Sequence, residues 1–478
     1  MTTTCLRNAD WLIGWDDSTA RHTYRRGCDL VFDNDQITFV GKNYAGAIDI
    51  EIDARNRFVI PGLIDVHSHP STEPAQKGIR EEHAVPEMYM SSLYQRSAVF
   101  QLDRAGRRAA VEVAYADLLS SGVTTLVDLS FPFDGWTEVA ARSGLRMVLG
   151  PGFSSATWKL ESEHDLLFDW QADDGAKDFE SALALIDEVE RHPSGRLSGI
   201  LYPAQIDTCS RALFERVTEV AKSRDLPVTT HISQSVAEFN VMVQRHGVTP
   251  IQWAHEIGIL GPRMTLGHAL FTDEHSWLSW PTKIDLDLLS RTNTSVAHCP
   301  QPFSRYGQIL EDFGRYARAG VNMALGTDCA PHNFIEEMRS ATILSHIGAK
   351  DMTTASAADV FHAATVGGAR ALLRDDIGKL APGCKADIVV VDLDCELMQP
   401  VRDPLRSLVY HAADRAVRDV FVGGEKVVDN QVVTHLDRRG ALSALTSAQQ
   451  RMLARTSELD YQARTAEQIS PLSLPVID

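Results

Sequence analysis

The sequence predicts a mixed α/β protein, a closed parallel barrel of eight βα units with a small sheet domain split between the two chain ends. Three observations predict it. From residue 59 to about 378, short β-branched or apolar runs alternate with helix-length amphipathic segments. Such alternation makes each strand parallel to the last, because a βα crossover returns the chain to the same edge. Strand-like segments with polar turns flank this region on both sides, over 1–58 and 379–435. Finally, histidines collect where the apolar runs stop.

The elements follow in order. The segment "DLVFDNDQITFVG" (29–41) reads as a hairpin around Asn34-Asp35. The eight strand candidates are 59–66, 122–129, 145–152, 197–205, 227–233, 264–270, 294–300 and 322–328. A helix is expected over 103–122, with Asp103 as N-cap and Gly122 as its stop. Strand character returns in "GKLAPGCKADIVVVDLD" (378–394) and in the run from Arg418. Residues 436–478 read as helix and then a Ser/Pro-rich tail, assigned to packing or oligomer contacts. An open doubly wound sheet is the structural alternative. As a nucleotide binder it would need a GxGxxG loop after an early strand, and the sequence has none there.

Composition narrows the function. Hydrophobic residues at 44% and charged residues at 23% are ordinary for a globular chain. The net charge of −18 argues against a nucleic-acid or anionic-membrane surface, since phosphates require basic patches. Seven cysteines without a CxxC pair fit a reducing compartment rather than a disulfide framework. The start "MTTTCLRNADWLIGW" has no basic-then-apolar leader, and no apolar run approaches the ~20 residues of a membrane span. A cytoplasmic enzyme, a homo-oligomer of two or four chains, is expected.

The run "VIPGLIDVHSHP" (59–70) carries His67 and His69 at period two. On a strand both imidazoles face one side. Elsewhere His231, His268, His298 and Asp328 stand at the ends of the fifth to eighth strand candidates. A barrel opens all carboxyl ends on one face, where active sites lie. A single strand-end histidine is usually a structural hydrogen-bonding group. Five with an aspartate on one face point to a divalent metal, Zn²⁺ first, with Fe²⁺, Mn²⁺ or Co²⁺ as alternatives.

Together "PGLIDVHSHP", "GHAL", "VAHCP", "LGTDCAP" and "GKLAPGCKADIVVVD" resemble the metal-dependent amidohydrolase superfamily over residues 1 to about 435. The branch they resemble holds the cytosine, guanine and adenosylhomocysteine deaminases and the s-triazine hydrolases. That resemblance implies a (β/α)8 TIM barrel, here 59–378, carried on a β-sandwich of residues 1–58 and 379–435. It implies His67, His69, His231 and Asp328 as metal ligands, with His268 facing the activated water or a substrate oxygen. The fourth strand candidate, "LSGILYPAQ", has no lysine to bridge two ions, so one metal is expected. Asp328 would act as general base and return the proton to the leaving group.

One position departs from that branch. The strand-five histidine is usually followed three residues later by Glu; here it is Gln234. An amide hydrogen-bonds but does not titrate. A ring deaminase must protonate a ring nitrogen, whereas hydrolysis at a carbonyl places charge on an oxygen that the metal and His268 hold. The sequence therefore favours a metal-dependent hydrolase of an amide, urea or (thio)carbamate bond in a small aromatic or apolar molecule. The alternative is an aminohydrolase of a purine, pyrimidine or s-triazine-like ring. A non-catalytic scaffold would have lost ligands, and every ligand position is filled. Glu238 or His275 could replace the absent acid, although Glu238 reads first as a solvated helix charge. The stretch 273–307 resembles phenylurea and molinate hydrolases and makes His275 and His332 candidate substrate contacts, alongside His298. Tyr202 and Gln205 are further candidates, equally readable as strand-end packing. Long loops over 70–100, with "EMYMSSLY", and 153–175, with Phe153, Trp158, Phe168 and Trp170, would shape an apolar pocket or a subunit contact.

Overall fold

The computed structural model describes residues 2–79, 92–162 and 165–477. Most of the Met- and Tyr-rich "EMYMSSLY" stretch lies outside the described residues.

Two antiparallel-rich sheets involve the chain ends. One is built from Thr3–Ala9, Cys28–Asp33, Gln36–Gly41 and Ile50–Asp53. Its hairpin turns at Asn34, whose φ of 50° is a conformation that asparagine tolerates. The other has seven strands drawn from both ends of the chain. In it Arg57–Pro61 pairs with Ile388–Asp392, so the first and last parts of the sequence share one ladder. Leu6, Leu30 and Phe32 from the first sheet meet Leu12, Val59, Ile388 and Phe421 from the second in one core.

Between them lie eight parallel strands in two sheets of four. The first sheet holds β1 (Leu63–Ser68), β2 (Val123–Asp128), β3 (Arg146–Leu149) and β4 (Leu197–Gly199). The second holds β5 (Val228–Ile232), β6 (Met264–His268), β7 (Ser295–His298) and β8 (Asn322–Leu325). Each strand pairs in sequence order with the next inside its sheet. Isolated parallel bridges link the sheets at both edges, Leu201 to Val228 and Ser68 to Asp328. These strands are short and almost wholly buried, as parallel strands covered on both faces should be.

Three expected strands are broken rather than continuous. The run 59–66 is two strands in two different sheets, parting at Gly62. The runs 145–152 and 197–205 each break after four and three residues, and their remainders, Gly152–Phe153 and Tyr202–Pro203, pair with each other. The 153–175 stretch is not irregular: Ala156–Leu160 and Leu166–Trp170 form a hairpin.

The expected helix runs from Arg104 to Ser120, and Asp103 caps it by accepting the Gly106 N–H at 2.7 Å. It packs against the helix Arg438–Ala454 through Ala109, Ala110 and Val113 on one side and Leu445, Ala448 and Met452 on the other. No helix among the described residues is long and apolar enough to cross a membrane.

Candidate metal centre

His67, His69, His231 and Asp328 come together, with one ligand atom from each inside a sphere of contacts no wider than 4.8 Å. His67 Nε2 and His231 Nε2 stand 3.1 Å apart, and His69 Nε2 and His231 Nε2 stand 3.2 Å apart. Asp328 Oδ1 lies 3.3 Å from His69 Nε2 and 3.7 Å from His67 Nε2. Ligands ~2.0–2.1 Å from a tetrahedrally bound zinc stand about 3.3 Å from one another. The spacing of the four donors therefore fits a single ion.

The tautomers fit it too. His231 Nδ1 donates to the Ala204 carbonyl at 2.7 Å, and His69 Nδ1 to the Leu129 carbonyl at 3.3 Å. Each Nε2 is then a bare lone pair, and the two lone pairs face each other beside a carboxylate. Only a cation makes that arrangement favourable. Burial and the neighbouring imidazoles hold His67 well below the usual histidine range and push His231 down to about 3, which keeps both neutral and able to ligate.

The backbone places these groups. The Asp328 N–H donates to the His67 carbonyl at 2.8 Å, and the His69 N–H to the Asp328 carbonyl at 3.0 Å. Asp65, two residues before His67 and fully buried, accepts the His67 and Thr327 N–H groups at 3.1 Å each and the Thr327 hydroxyl at 2.6 Å. It thus clamps β1 to the end of β8. Burial pushes its pKa up to about 7. Asp328 has φ 58° and His268 φ 83°, left-handed values that concentrate where backbone is bent toward a site. Gly267 and Gly326 leave room for His67, since a Cβ on either would stand 2.8 Å or 2.7 Å from its side chain.

His268 completes the inner ring, with its imidazole centroid 4.8 Å from that of His67 and 5.2 Å from that of His231. Phe303 covers it at 4.5 Å, and burial holds it neutral. Tyr202 points its hydroxyl at His231 Nδ1 from 3.4 Å, and burial raises its pKa. Gln205 lies opposite His231 in a parallel bridge, and its Oε1 accepts from Gln234 Nε2. His298 is buried at the end of β7, neutral with its pKa pushed down to about 3 by burial, and borders a small pocket with Phe303 and Phe313. His332 is buried, and neither of its ring nitrogens is hydrogen-bonded to a described residue.

Two expectations change. Glu238 is not a solvated helix charge: it is fully buried, and its carboxylate accepts the Ser233 N–H at 2.6 Å and the Gln234 N–H at 3.1 Å. His275 has both ring nitrogens committed to backbone, to the Ile309 carbonyl at 3.1 Å and the Trp277 N–H at 3.2 Å. Sequence reasoning missed Glu73 and Arg96, a buried pair 3.6 Å apart whose charges both act on Asp328. Nothing in their local sequence marks them, because each meets the site across a loop.

Comparison with known proteins agrees with this geometry. The amidohydrolase family model matches residues 58–427. A 5-methylthioadenosine/S-adenosylhomocysteine deaminase from Natronomonas pharaonis is 28% identical over 86% of this chain and 91% of its own length. A 5'-deoxyadenosine deaminase from Methanothermobacter thermautotrophicus is 28% identical over 84% and 88%. The crystal structure of an adenosine deaminase from Xanthomonas campestris, with bound zinc, superposes with a TM-score of 0.81 at 23% identity, covering 94% of this chain and 98% of that one. The zinc complex of an atrazine chlorohydrolase from Arthrobacter aurescens gives 0.78 at 23% identity over 93% and 100%. The narrower resemblance to phenylurea and molinate hydrolases finds no support in these names. By the family match and the cluster it positions, the chain belongs to the amidohydrolase family and is a hydrolytic enzyme acting on C–N bonds.

Proposed function

We propose that the protein is an aminohydrolase that removes an amino group from a carbon of a small N-heterocycle, a nucleoside-like ring amine, with one divalent ion, zinc first, at the His67–His69–His231–Asp328 cluster. The similarity to adenosine-derivative deaminases over most of the chain carries this reading above the carbonyl hydrolysis that Gln234 alone favours. The proposal takes the two four-stranded sheets, joined by bridges at both edges, as one closed (β/α)8 barrel over 59–378, with its first seam moved to Gly62 by the Arg57–Pro61 strand. Residues 1–58 and 379–435 form its β-sandwich. A homo-oligomer of two or four chains completes the reading.

The ion would supply activated water at neutral pH by lowering its pKa to ~7. Asp328, which with the three histidines would hold the ion, would take a proton from water and return it to the departing amine. His268, held neutral, donates to the charge that develops on the substrate. Tyr202 keeps the ring of His231 in place. Gln234 and Gln205 bind the edge of the substrate.

A second reading rests on one observation: Gln234 is an amide, paired with another amide, where a proton donor to a ring nitrogen would be required. Cleavage of an amide, urea or (thio)carbamate needs no such donor. The test is product identity. Zinc-loaded protein is incubated with ring amines, s-triazines, N-aryl ureas, anilides and thiocarbamates, and ammonia is assayed separately from organic amine or thiol. Ammonia from ring amines is expected. Organic amine or thiol with a carbonyl product would transfer the assignment to the second reading, and neither product would overturn both.

A further inference from the structure

The turn that follows His69 is tied to a helix near the far end of the chain. Thr72 and Glu73 both donate their N–H groups to the His69 carbonyl at 3.3 Å, which starts a single helical turn, Glu73–Gln76. Four residues make few bonds of their own, and the carbonyls at a helix end have no partner within it. Two carbonyls there, those of Ala75 and Lys77, accept instead from one side chain, Gln449 Nε2, at 2.7 and 2.9 Å. An amide nitrogen carries two N–H donors, one for each. Gln449 stands on the helix Arg438–Ala454, beyond the stretch 58–427 that the amidohydrolase family model matches. Close packing sets its place. A Cβ on Gly106 would lie 2.8 Å from the Ala448 Cβ, so glycine there lets the two helices touch. Ala75, Val99 and Phe100 share one core with Leu445, Ala448 and Met452.

The turn also reaches the other side of the cluster. Glu73 pairs at 3.6 Å with Arg96, and Arg96 donates to the sulfur of Cys329, the residue after Asp328, at 3.9 Å. Gln76 Nε2 donates to the Phe100 carbonyl at 3.3 Å, just past the helix Leu93–Val99 that bears Arg96. Glu73 and Arg96 are both buried, so separating them exposes each to an uncompensated charge. We infer that Gln449 is a positioning residue for the metal centre: by closing the end of the Glu73–Gln76 turn, it fixes the backbone of His69 and holds the Glu73–Arg96 pair beside Asp328. This rests on the reading of His67, His69, His231 and Asp328 as metal ligands. Without the two donors, two carbonyls lose their partner, one of them on the wholly buried Ala75. The turn then loosens back to its root, which is the carbonyl of His69.

The test uses the full chain and needs no turnover. Zinc affinity is measured by competition with a chelator, and coordination geometry by the visible absorption of cobalt-loaded protein. Amide hydrogen exchange over residues 70–79 reports the turn in metal-free protein. Gln449→Leu and Gln449→Glu both remove the donors, and the second keeps a polar side chain of the same length should the first not fold. Each is expected to weaken zinc binding about tenfold, alter the cobalt spectrum and speed exchange in the turn. Gln449→Lys, which donates again, should restore all three. Arg451→Ala cuts the 2.7 Å ion pair of the same helix with Asp103 and should leave zinc affinity and cobalt spectrum at parental values. The inference is overturned if a folded variant without donors keeps the parental zinc affinity and cobalt spectrum, or if Arg451→Ala matches its loss. Failure of both donor-free variants to fold would make Gln449 a residue of general stability and also overturn it. A parent chain that binds no zinc overturns the metal reading itself, and this inference with it.

Discussion

Close approach at single residues sets the metal cluster. Gly267 comes so near the His67 imidazole, and Gly326 so near the His67 Cβ and carbonyl oxygen, that one added carbon at either must displace His67. Gly267→Ala is therefore expected to weaken zinc binding about 10- to 100-fold, comparable to loss of a group that orients a ligand. Competition against a chromophoric chelator measures it. Asp328→Asn keeps the shape of the side chain but removes its basicity, so turnover should fall by about 10²–10⁴-fold, read as kcat on whichever substrate gives product. Unchanged kcat would remove Asp328 from the proton path. At this scale the four-residue cluster was legible in the sequence, because period-two histidines and strand-end polar residues survive as local pattern. Glu238 and His275 were not. A carboxylate one turn into a helix looks solvated until the turn before it folds back over it, and both nitrogens of His275 are claimed by backbone groups, one of them from a distant loop.

Elements show the same division. The helix Arg104–Ser120 was readable end to end, since Asp103 and Gly122 carry its start and stop in their own chemistry. Asp103→Ala removes the cap and should cost about 1 kcal/mol, seen as a lower urea midpoint. The strand candidate at 59–66 failed for a reason local sequence does not contain. Its residues are apolar throughout, but membership of one sheet or another depends on partners near residues 123 and 388. The hairpin of Ala156–Leu160 with Leu166–Trp170 was equally hidden, because exposed alternation in a long connection resembles loop composition.

The barrel-like strands and the end-built sheets are fastened across their boundary. Arg146 at the start of β3 donates twice to Asp387, 3.0 Å each time, and both groups are buried. Arg146→Ala strands a buried carboxylate and should lower stability by about 3–5 kcal/mol, measured by chemical denaturation. A second tie is His22 Nε2 with the Thr365 hydroxyl at 3.0 Å. Burial first, and then the nearby His362 and Lys379, push His22 down to about 3. Its unfolded value is ~6.5, so the unfolded chain binds more protons between those limits. The stability from this group is complete above pH ~6.5 and is lost as pH falls toward 3. Between pH 7.5 and 5, His22→Gln should therefore lose less stability than the parent protein.

The clamp made by Asp65 on Thr327 spans 262 residues of sequence. A ribosome making this chain releases the first two ligands, His67 and His69, long before Asp328 exists. Until the eighth strand arrives, those histidines lack the Asp328 carboxylate, and Asp65 lacks Thr327. An ion held by all four groups would therefore be acquired late, once synthesis and closure are both finished.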